Sequence, residues 1–270
     1  MVNDFSALQE KVYSGRGIIA GLTPSGKPVM AYSLTGRSPS SQARKLAYDS
    51  VSGVIRTDVT DREQLEKGSP ALLIYPAMVE LDEMIIASNG SQTRIMYDKF
   101  KRLTRVKAKV TAERIIRDSF DYNSGFPFME SFEYDPKSQT WINLTSYEPD
   151  APNFTPRINA TIKDEEVVFG ILKKDEYLSH IPKREFWKFI LNPGQGFGLT
   201  TYQGGNENPL LPFEGELLEV KLASDSPVEI CQDIYEAISH GEKPGENYAV
   251  SAAVMIQGQE KGVYIINRNK

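Results

Sequence analysis

The sequence predicts an α+β protein in which antiparallel sheets are covered by helices. Two observations support this class: a short β-rich hairpin lies near each end of the chain, and four segments with helical periodicity accompany further strand-like runs. Strands outnumber helices in this interpretation, but both are substantial. A chain of 270 residues that is 40% hydrophobic can bury one large core, so we interpret residues 1–270 as a single domain.

The two terminal hairpins are the first predicted elements. Their strands are residues 17–22 and 29–34 at the front of the chain, and residues 248–257 and 263–267 at the back. In the front hairpin, Pro24 and Gly26 supply the backbone angles of a tight turn. Because chain ends often lie close together in a domain, we expect the two hairpins to pair in the middle of one sheet.

Further strands and four helices are predicted between these hairpins. The strands are residues 71–75, 81–87, 158–162 and 167–172, and the helices are residues 41–48, 93–103, 111–120 and 227–239. The last helix has the strongest start signal, because Ser226 and Glu229 form a capping-box pattern around Pro227.

Composition disfavours several classes of function. The net charge is −5, and no stretch concentrates Lys and Arg along a helix, so we expect no nucleic-acid partner. The single cysteine, Cys231, lies in an apolar-periodic helix and is interpreted as a buried structural thiol. The two histidines, His180 and His240, lack metal-ligand spacing, so we expect no metal. No segment has the length of a membrane span and the start lacks a signal-peptide pattern, so we expect a cytoplasmic protein.

The loop at residues 35–44 is the first candidate binding segment. It is dense in guanidinium and hydroxyl groups, which are the donors that hold a phosphate or another oxyanion. The same composition is typical of a solvated surface loop, and the segment on its own slightly favours that interpretation.

Three separated motifs, in order, resemble the archaeal-type inosine monophosphate (IMP) cyclohydrolase family. The motifs are Gly15-Arg16 with the hairpin at 23–28, Tyr32 and Arg37-Ser38; then residues 87–93, Ala-Ser-Asn-Gly-Ser-Gln-Thr; then Tyr147-Glu148 followed by Thr155-Pro156-Arg157-Ile158. The resemblance implies a four-layer αββα sandwich like that of N-terminal-nucleophile hydrolases, without the N-terminal nucleophile. It also implies that the substrate is a purine ribonucleotide.

The family reaction closes a purine ring. The carboxamide nitrogen of 5-formamidoimidazole-4-carboxamide ribonucleotide attacks the formyl carbon of the same molecule, and water leaves to give IMP. Since both reacting groups belong to one molecule, the enzyme has to select the conformer in which they touch and then move protons. The resemblance therefore implies no cofactor, and it implies sites for the phosphate, the formyl oxygen and a transferred proton.

The resemblance distributes these tasks over thirteen residues. Glu148 is expected to be the general base, with a pKa raised by burial. Tyr75 and Asn89 are expected to stabilise negative charge on the formyl oxygen. The substrate-binding residues are Arg16, Tyr32, Arg37, Ser38, Gln42, Arg44, Gly90, Ser91, Gln92 and Arg157. The predicted helix from Ser41 adds its N-terminal amides to the phosphate site.

Two features depart from the family pattern. The family carries His and then Asp at the positions filled here by Gln92 and Arg94, and Gln92 cannot shuttle a proton near neutral pH as histidine can. The segment of about 173–205 is interpreted as a family-atypical insertion, serving as a flexible lid or as a contact in a homo-oligomer.

Two alternative functions remain open from the sequence. One is a non-catalytic purine-nucleotide-binding protein, which the Gln92 and Arg94 changes favour. The other is an amide-bond hydrolase of the N-terminal-nucleophile type, which requires cleavage behind Tyr13 to expose Ser14.

Overall fold

The computed structural model describes residues 2–67, 69–120, 131–178 and 181–269. They form an α+β fold with two large sheets, and every strand pairing described is antiparallel. The predicted fold class is thereby confirmed. Within these ranges, no helix has both the length and the apolar composition needed to cross a membrane.

The first sheet has six strands in the spatial order β13-β12-β1-β2-β14-β15. Its strands are β1 (Arg16–Leu22), β2 (Pro28–Thr35), β12 (Gln195–Thr200), β13 (Leu218–Lys221), β14 (Ala249–Ile256) and β15 (Val263–Asn267). The two terminal hairpins meet at its centre, where Tyr32 of β2 pairs with Ala253 of β14. The predicted pairing of the chain ends is therefore confirmed, and Gly26 has the positive φ of 81° that its turn requires.

The second sheet has seven strands in the order β11-β10-β9-β6-β5-β4-β3. Its strands are β3 (Arg44–Asp49), β4 (Val54–Val59), β5 (Pro76–Leu81), β6 (Met84–Ser88), β9 (Arg157–Lys163), β10 (Glu166–Lys173) and β11 (Lys183–Ile190). A separate two-stranded ribbon consists of β7 (Phe132–Asp135) and β8 (Thr140–Asn143). The predicted hairpin at 158–172 corresponds to β9 and β10 and is confirmed.

The two large sheets pack face to face. Alternate residues of the facing strands build one apolar cluster, to which β2 contributes Tyr32 and Leu34 and β9 contributes Ile158, Ala160 and Ile162. Because side chains alternate along a strand, the other residues of β9, including Arg157, point to the opposite face of the second sheet.

Helices cover the outer faces of both sheets. The helices are α1 (Ser6–Gln9), α2 (Pro39–Gln42), α3 (Arg62–Lys67), α4 (Pro70–Leu73), α5 (Gln92–Arg105), α6 (Ala112–Phe120) and α7 (Pro227–Ala237). Helix α7 and α1 pack on the first sheet, and α5 and α6 pack on the second. Helix α7 begins as predicted, since Ser226 Oγ accepts from the Glu229 amide; the Glu229 carboxylate, however, accepts from Ser224. Cys231 on α7 is fully buried, as predicted.

Two predicted elements are wrong. Residues 41–48 are not a helix: only α2 is helical there, and β3 follows, because pairing with β4 and burial of Leu46 in the core override the helix-forming composition. Residues 71–75 are not a strand, since Pro70 starts the short helix α4 and the strand β5 begins at Pro76.

The segment 173–205 contains two paired strands. Strand β11 lies at the edge of the second sheet beside β10, and β12 lies inside the first sheet between β1 and β13. Interpreting the whole segment as a lid is therefore wrong, because these strands are hydrogen-bonded parts of the two sheets. Its assignment as an insertion stays a prediction.

Candidate active site

A buried ion pair forms the floor of the candidate site. Arg16 is the first residue of β1, and Glu148 lies in the loop before β9, where its amide donates to the Thr155 carbonyl at 2.8 Å. Nη2 of Arg16 lies 2.6 Å from Oε1 of Glu148. Only 9% of Arg16 and 4% of Glu148 are exposed, so this pair is largely shielded from water. The ionic partner of Glu148 is therefore Arg16.

A second arginine approaches the same carboxylate. Arg157, the first residue of β9, places Nη1 at 3.9 Å from Oε1 of Glu148 and donates from Nη1 to Oε1 of Gln92 at 3.1 Å. Nε and Nη2 of Arg157, and Nε of Arg16, are buried without hydrogen-bond partners among the described residues. Unpaired buried donors cost free energy, so these groups are suited to a ligand or water that carries oxygen acceptors.

The charge state of the floor follows from competing effects. Burial raises the pKa of Glu148 above its ordinary value of 4.5, and the positive charges of Arg16 and Arg157 oppose that rise. Burial lowers the pKa of Arg157, while the charge of Glu148 opposes the decrease. The raised pKa that a general base needs is present, and the nearby arginines limit how far it rises.

A cavity of about 270 Å³ opens above this pair. Five of the predicted site residues line it: Arg16, Arg37, Ser38, Arg44 and Glu148. Three arginines and two carboxylates, Glu148 and Asp150, therefore line one volume, in which a small anion has several donors within reach.

The rim arginines of this cavity are already bonded to the protein. Nη1 of Arg37 donates to Oδ1 of Asn206 at 2.8 Å, and its guanidinium lies 4.9 Å from the ring centre of Tyr13. Arg44 is 2% exposed, and its Nε donates to the Ser41 carbonyl at 3.0 Å. Both side chains hold the loop in place as well as facing the cavity.

One detail of the predicted phosphate loop is wrong. Helix α2 begins at Pro39 and has four residues, with Ser38 as its N-cap, so no helix starting at Ser41 supplies amides. The Gln42 side-chain amide donates to the Gly36 carbonyl at 3.1 Å and does not line the cavity, and its role in substrate binding stays a prediction.

Two buried tyrosines lie behind the floor. The hydroxyl groups of Tyr32 on β2 and Tyr75 before β5 are 2.9 Å apart, which joins the two sheets. The Tyr75 amide donates to Thr57 Oγ1 at 2.9 Å, which fixes Tyr75 at the edge of β4. Neither tyrosine is among the residues that line the cavity.

The predicted Asn-Gly-Ser loop supports Arg157. Oδ1 of Asn89 accepts from the Ile158 amide at 2.8 Å and from Nε2 of Gln92 at 2.9 Å, while its Nδ2 donates to the Pro156 carbonyl. A side-chain carbon at Gly90 would collide with Nη1 of Arg157, so only glycine permits this close approach. None of these loop residues lines the cavity.

The remaining positions of this motif differ in environment. Ser91 is 3% exposed and Gln92 is fully buried as the first residue of α5. Arg94 lies on the surface, where 55% of its side chain is exposed and its Nη2 is 3.6 Å from Glu133. The Gln92 position therefore belongs to the support of Arg157, whereas Arg94 is remote from the cavity.

Sequence reasoning missed one wall of the cavity. Tyr13, Asp150, Thr155 and Tyr202 line it, and the rings of Tyr13 and Tyr202 stack with centres 5.8 Å apart. Thr155 is the first residue of the Thr-Pro-Arg-Ile motif and Asp150 lies two residues after Glu148, so their proximity to Glu148 in the sequence was a usable signal. No sequence signal pointed to Tyr202, since it lies in the segment interpreted as an insertion.

Among the described residues, no group of three His, Cys, Asp or Glu side chains is arranged to hold a metal ion. Nε2 of His240 lies 3.1 Å from the Ala237 carbonyl, and His180 lies outside the described residues.

The thiol of Cys231 is buried, and burial raises its pKa to about 12, which keeps it protonated at neutral pH.

The fold and this site together define an antiparallel α+β protein with a buried carboxylate–arginine pair below a cavity suited to an anionic ligand. A family model described as "IMP cyclohydrolase-like protein" matches residues 13–122 and 134–261. The chain belongs to this IMP cyclohydrolase-like family.

Three proteins named IMP cyclohydrolase are similar to this chain. The protein of Methanocaldococcus jannaschii is 25% identical over 211 residues, which are 77% of this chain and 83% of the relative. Those of Methanococcus maripaludis strains C7 and S2 are each 24% identical, over 72% and 71% of this chain and 77% and 75% of the relatives. The resemblance to the family is thereby confirmed.

Proposed function

We propose that this protein is an IMP cyclohydrolase that closes the purine ring of 5-formamidoimidazole-4-carboxamide ribonucleotide, the last step of de novo purine biosynthesis. The observation that carries the proposal is the buried Arg16–Glu148 pair at the floor of the arginine-lined cavity. This arrangement combines a positioned carboxylate with a site for an anion. Relatives of the chain are named IMP cyclohydrolase, and the family model describes IMP cyclohydrolase-like proteins.

The rim of the cavity binds the 5′-phosphate in this proposal. Arg37, Ser38 and Arg44 line one side of the cavity and offer guanidinium and hydroxyl donors. Because Arg37 and Arg44 are held by Asn206 and Ser41, their geometry is set before the ligand arrives. Preorganised donors lower the entropy cost of binding.

The floor of the cavity carries out the chemistry. Glu148 removes a proton from the attacking nitrogen, and Arg16 holds its carboxylate at 2.6 Å in a fixed orientation. Positive charge from Arg16 and Arg157 stabilises the negative charge that develops on the former formyl oxygen. The Tyr32–Tyr75 hydroxyl pair lies outside the cavity lining, so in this proposal it acts on the floor from behind. Asn89, Gly90 and Gln92 position Arg157.

We further propose that the two packed sheets and their outer helices form the αββα sandwich of the N-terminal-nucleophile kind, with no terminal nucleophile. The chain runs on through Tyr13, whose amide donates to the Gly204 carbonyl at 3.1 Å, and Ser14 is 2% exposed. Mass spectrometry of the purified protein tests this point: a chain beginning at Ser14 contradicts it and revives the hydrolase alternative.

Turnover of the formylated ribonucleotide is the direct test of the proposed function. The purified protein is incubated with substrate, and IMP formation is followed by absorbance and confirmed by chromatography. We expect catalytic turnover by the wild type. Binding of IMP without any turnover contradicts the proposal and supports a non-catalytic nucleotide-binding protein. If the protein neither binds IMP nor turns over the substrate, purine ribonucleotides are excluded as its ligands.

A further inference from the structure

A chain of three polar side chains lines the cavity beside Glu148. The hydroxyl of Tyr202 lies 2.7 Å from Oγ1 of Thr155, and Oγ1 of Thr155 donates to Oδ2 of Asp150. Oδ1 of Asp150 accepts from the Thr155 amide at 2.7 Å, so one carboxylate binds both the amide and the hydroxyl of Thr155. All three residues line the cavity, and none has a role in the function proposed above.

The carboxylate fixes the direction of this chain. Thr155 Oγ1 donates to Oδ2 of Asp150, and a hydroxyl has a single proton, so this proton is used in that bond. Tyr202 must then donate its own proton to Thr155 Oγ1. Among the described residues the Tyr202 hydroxyl has no other hydrogen-bond partner, which leaves its oxygen as an acceptor for a group in the cavity.

The surroundings keep this chain rigid and close to the floor. Tyr202 follows β12, and Thr155 lies two residues before β9, so a strand of each large sheet positions one hydroxyl. Tyr202 is 4% exposed and Thr155 is 1% exposed. The charges of Arg16 and Glu148 both act on the Tyr202 hydroxyl, and burial raises its pKa, so the phenol stays protonated at neutral pH.

The proposed reaction includes two separate proton removals. Ring closure forms a nitrogen–carbon bond and removes one proton from the attacking nitrogen. Loss of water then breaks the carbon–oxygen bond, and the electron pair of that bond leaves with the oxygen. The second nitrogen loses one proton, and the electron pair of its N–H bond forms the new carbon–nitrogen double bond. Both protons end on the departing oxygen, so no other reactant is required.

We propose that Tyr202, Thr155 and Asp150 form a proton relay that serves the second of these transfers, an inference that rests on the function proposed above. The nitrogen proton moves to the Tyr202 oxygen, the tyrosine proton moves to Thr155, and the threonine proton moves to Asp150. Tyr202 then holds a proton that faces the cavity. The three transfers run in reverse, and the Tyr202 proton passes to the departing oxygen. Tyr202 is the catalytic residue of the relay, and Thr155 and Asp150 act through it.

The test uses two substitutions of one residue. Thr155→Val removes the hydroxyl at nearly constant volume, whereas Thr155→Ser keeps the hydroxyl and removes a methyl group. We expect Thr155→Val to lower kcat by about 10²-fold, the lower end of the effect of general acid–base catalysis, with a KM within about threefold of the wild type. Thr155→Ser should retain most of the turnover, and thermal unfolding checks that both variants fold.

A second measurement counts the protons that move. Single-turnover rates in mixtures of H₂O and D₂O should give a curved dependence on deuterium fraction for the wild type and a straight one for Tyr202→Phe, which leaves the Thr155–Asp150 pair intact. Tyr202→Phe also serves where Thr155→Val does not fold.

Equal losses in Thr155→Val and Thr155→Ser overturn the relay, because they show that packing alone matters. Near-normal turnover in Tyr202→Phe overturns it as well. A wild-type protein without turnover contradicts the proposed function and the relay together, whereas an active wild type with unaffected variants contradicts the relay alone.

Discussion

The floor and the rim of the cavity both contain arginines, but their surroundings differ. At the floor, Arg16 and Arg157 face the buried Glu148, and three of their nitrogen donors have no partner among the described residues. At the rim, Arg37 is half-buried and bonds to Asn206, while Arg44 bonds to Ser41. A buried charge without full hydrogen bonding is costly, so the floor is where a ligand gains most and where substitution is least tolerated.

The difference assigns separate tasks to the two regions. Groups in a water-excluded site act strongly on developing charge, whereas a half-exposed group such as Arg37 is screened by solvent. Arg44 is as buried as the floor arginines, and it differs from them in bonding to the Ser41 carbonyl instead of facing Glu148. We therefore expect floor substitutions to change turnover or folding, and rim substitutions to change the affinity for ligand. Four variants test this expectation, from the largest effect to the smallest.

Glu148→Gln should produce the largest change in activity. The amide keeps the size of the side chain but cannot accept the proton, so kcat should fall by about 10²- to 10⁴-fold. The affinity for IMP should change little. Steady-state kinetics measures the fall in kcat, and titration with IMP measures the affinity. Near-normal turnover would remove Glu148 from the chemistry.

Arg16→Met should produce the largest change in stability. Removing one partner of a buried pair leaves Glu148 without its 2.6 Å contact, at a cost of about 3–5 kcal/mol in the free energy of unfolding. The matched control is Arg94→Met, which breaks the exposed pair with Glu133 and should cost less than about 1 kcal/mol. Denaturant unfolding measures the free energy of unfolding of both variants. Similar losses in the two variants would show that the buried pair at the floor contributes no more stability than the exposed pair.

Gly90→Ala should disturb the floor without removing any of its polar groups. The new methyl group displaces Arg157 from Gln92, so unfolding should become easier by about 1–3 kcal/mol and turnover should fall. The control is Gly198→Ala on β12, where the nearest neighbours of the added carbon are side-chain atoms of Ile19 at 3.3 Å and of Leu218 at 3.5 Å. If Gly90→Ala keeps full turnover, the position of Arg157 is unimportant to the reaction.

Arg37→Ala should produce the smallest of the four effects. A hydrogen bond to a charged group is worth about 1.5–3 kcal/mol, and we expect the lower end because Arg37 is half-buried. This corresponds to about a tenfold increase in KM with kcat unchanged. IMP should raise the melting temperature of the wild type and raise that of Arg37→Ala by less. A fall in kcat with KM unchanged would place Arg37 in the chemistry.

Local sequence signals predicted much of the fold. The turn at Gly26, the start of α7 at Ser226 and the pairing of the terminal hairpins agree with the structure. Residues 41–48 were misassigned because helix propensity is a local property, whereas burial of Leu46 and pairing with β4 are tertiary.

The site was predictable only where a motif carried it. Arg37, Ser38 and Glu148 come from the motifs and Arg44 from the guanidinium-rich loop, and all four line one cavity. The contact between Arg16 and Glu148 joins residues 132 positions apart, and no periodicity encodes such a distance. Tyr202 was missed for the same reason, since it reaches the cavity only because β12 pairs with β1.

The pH dependence of ring closure tests the central claim most directly, namely that the buried Glu148 is the base at the floor. Glu148 acts when ionised, and burial raises its pKa, so the single-turnover rate of the wild type should rise with pH through an apparent pKa above 4.5. In Glu148→Gln this acid limb should disappear, leaving a slow rate that does not vary over the same range. An acid limb that persists unchanged in Glu148→Gln would assign the titration to another group and contradict the claim.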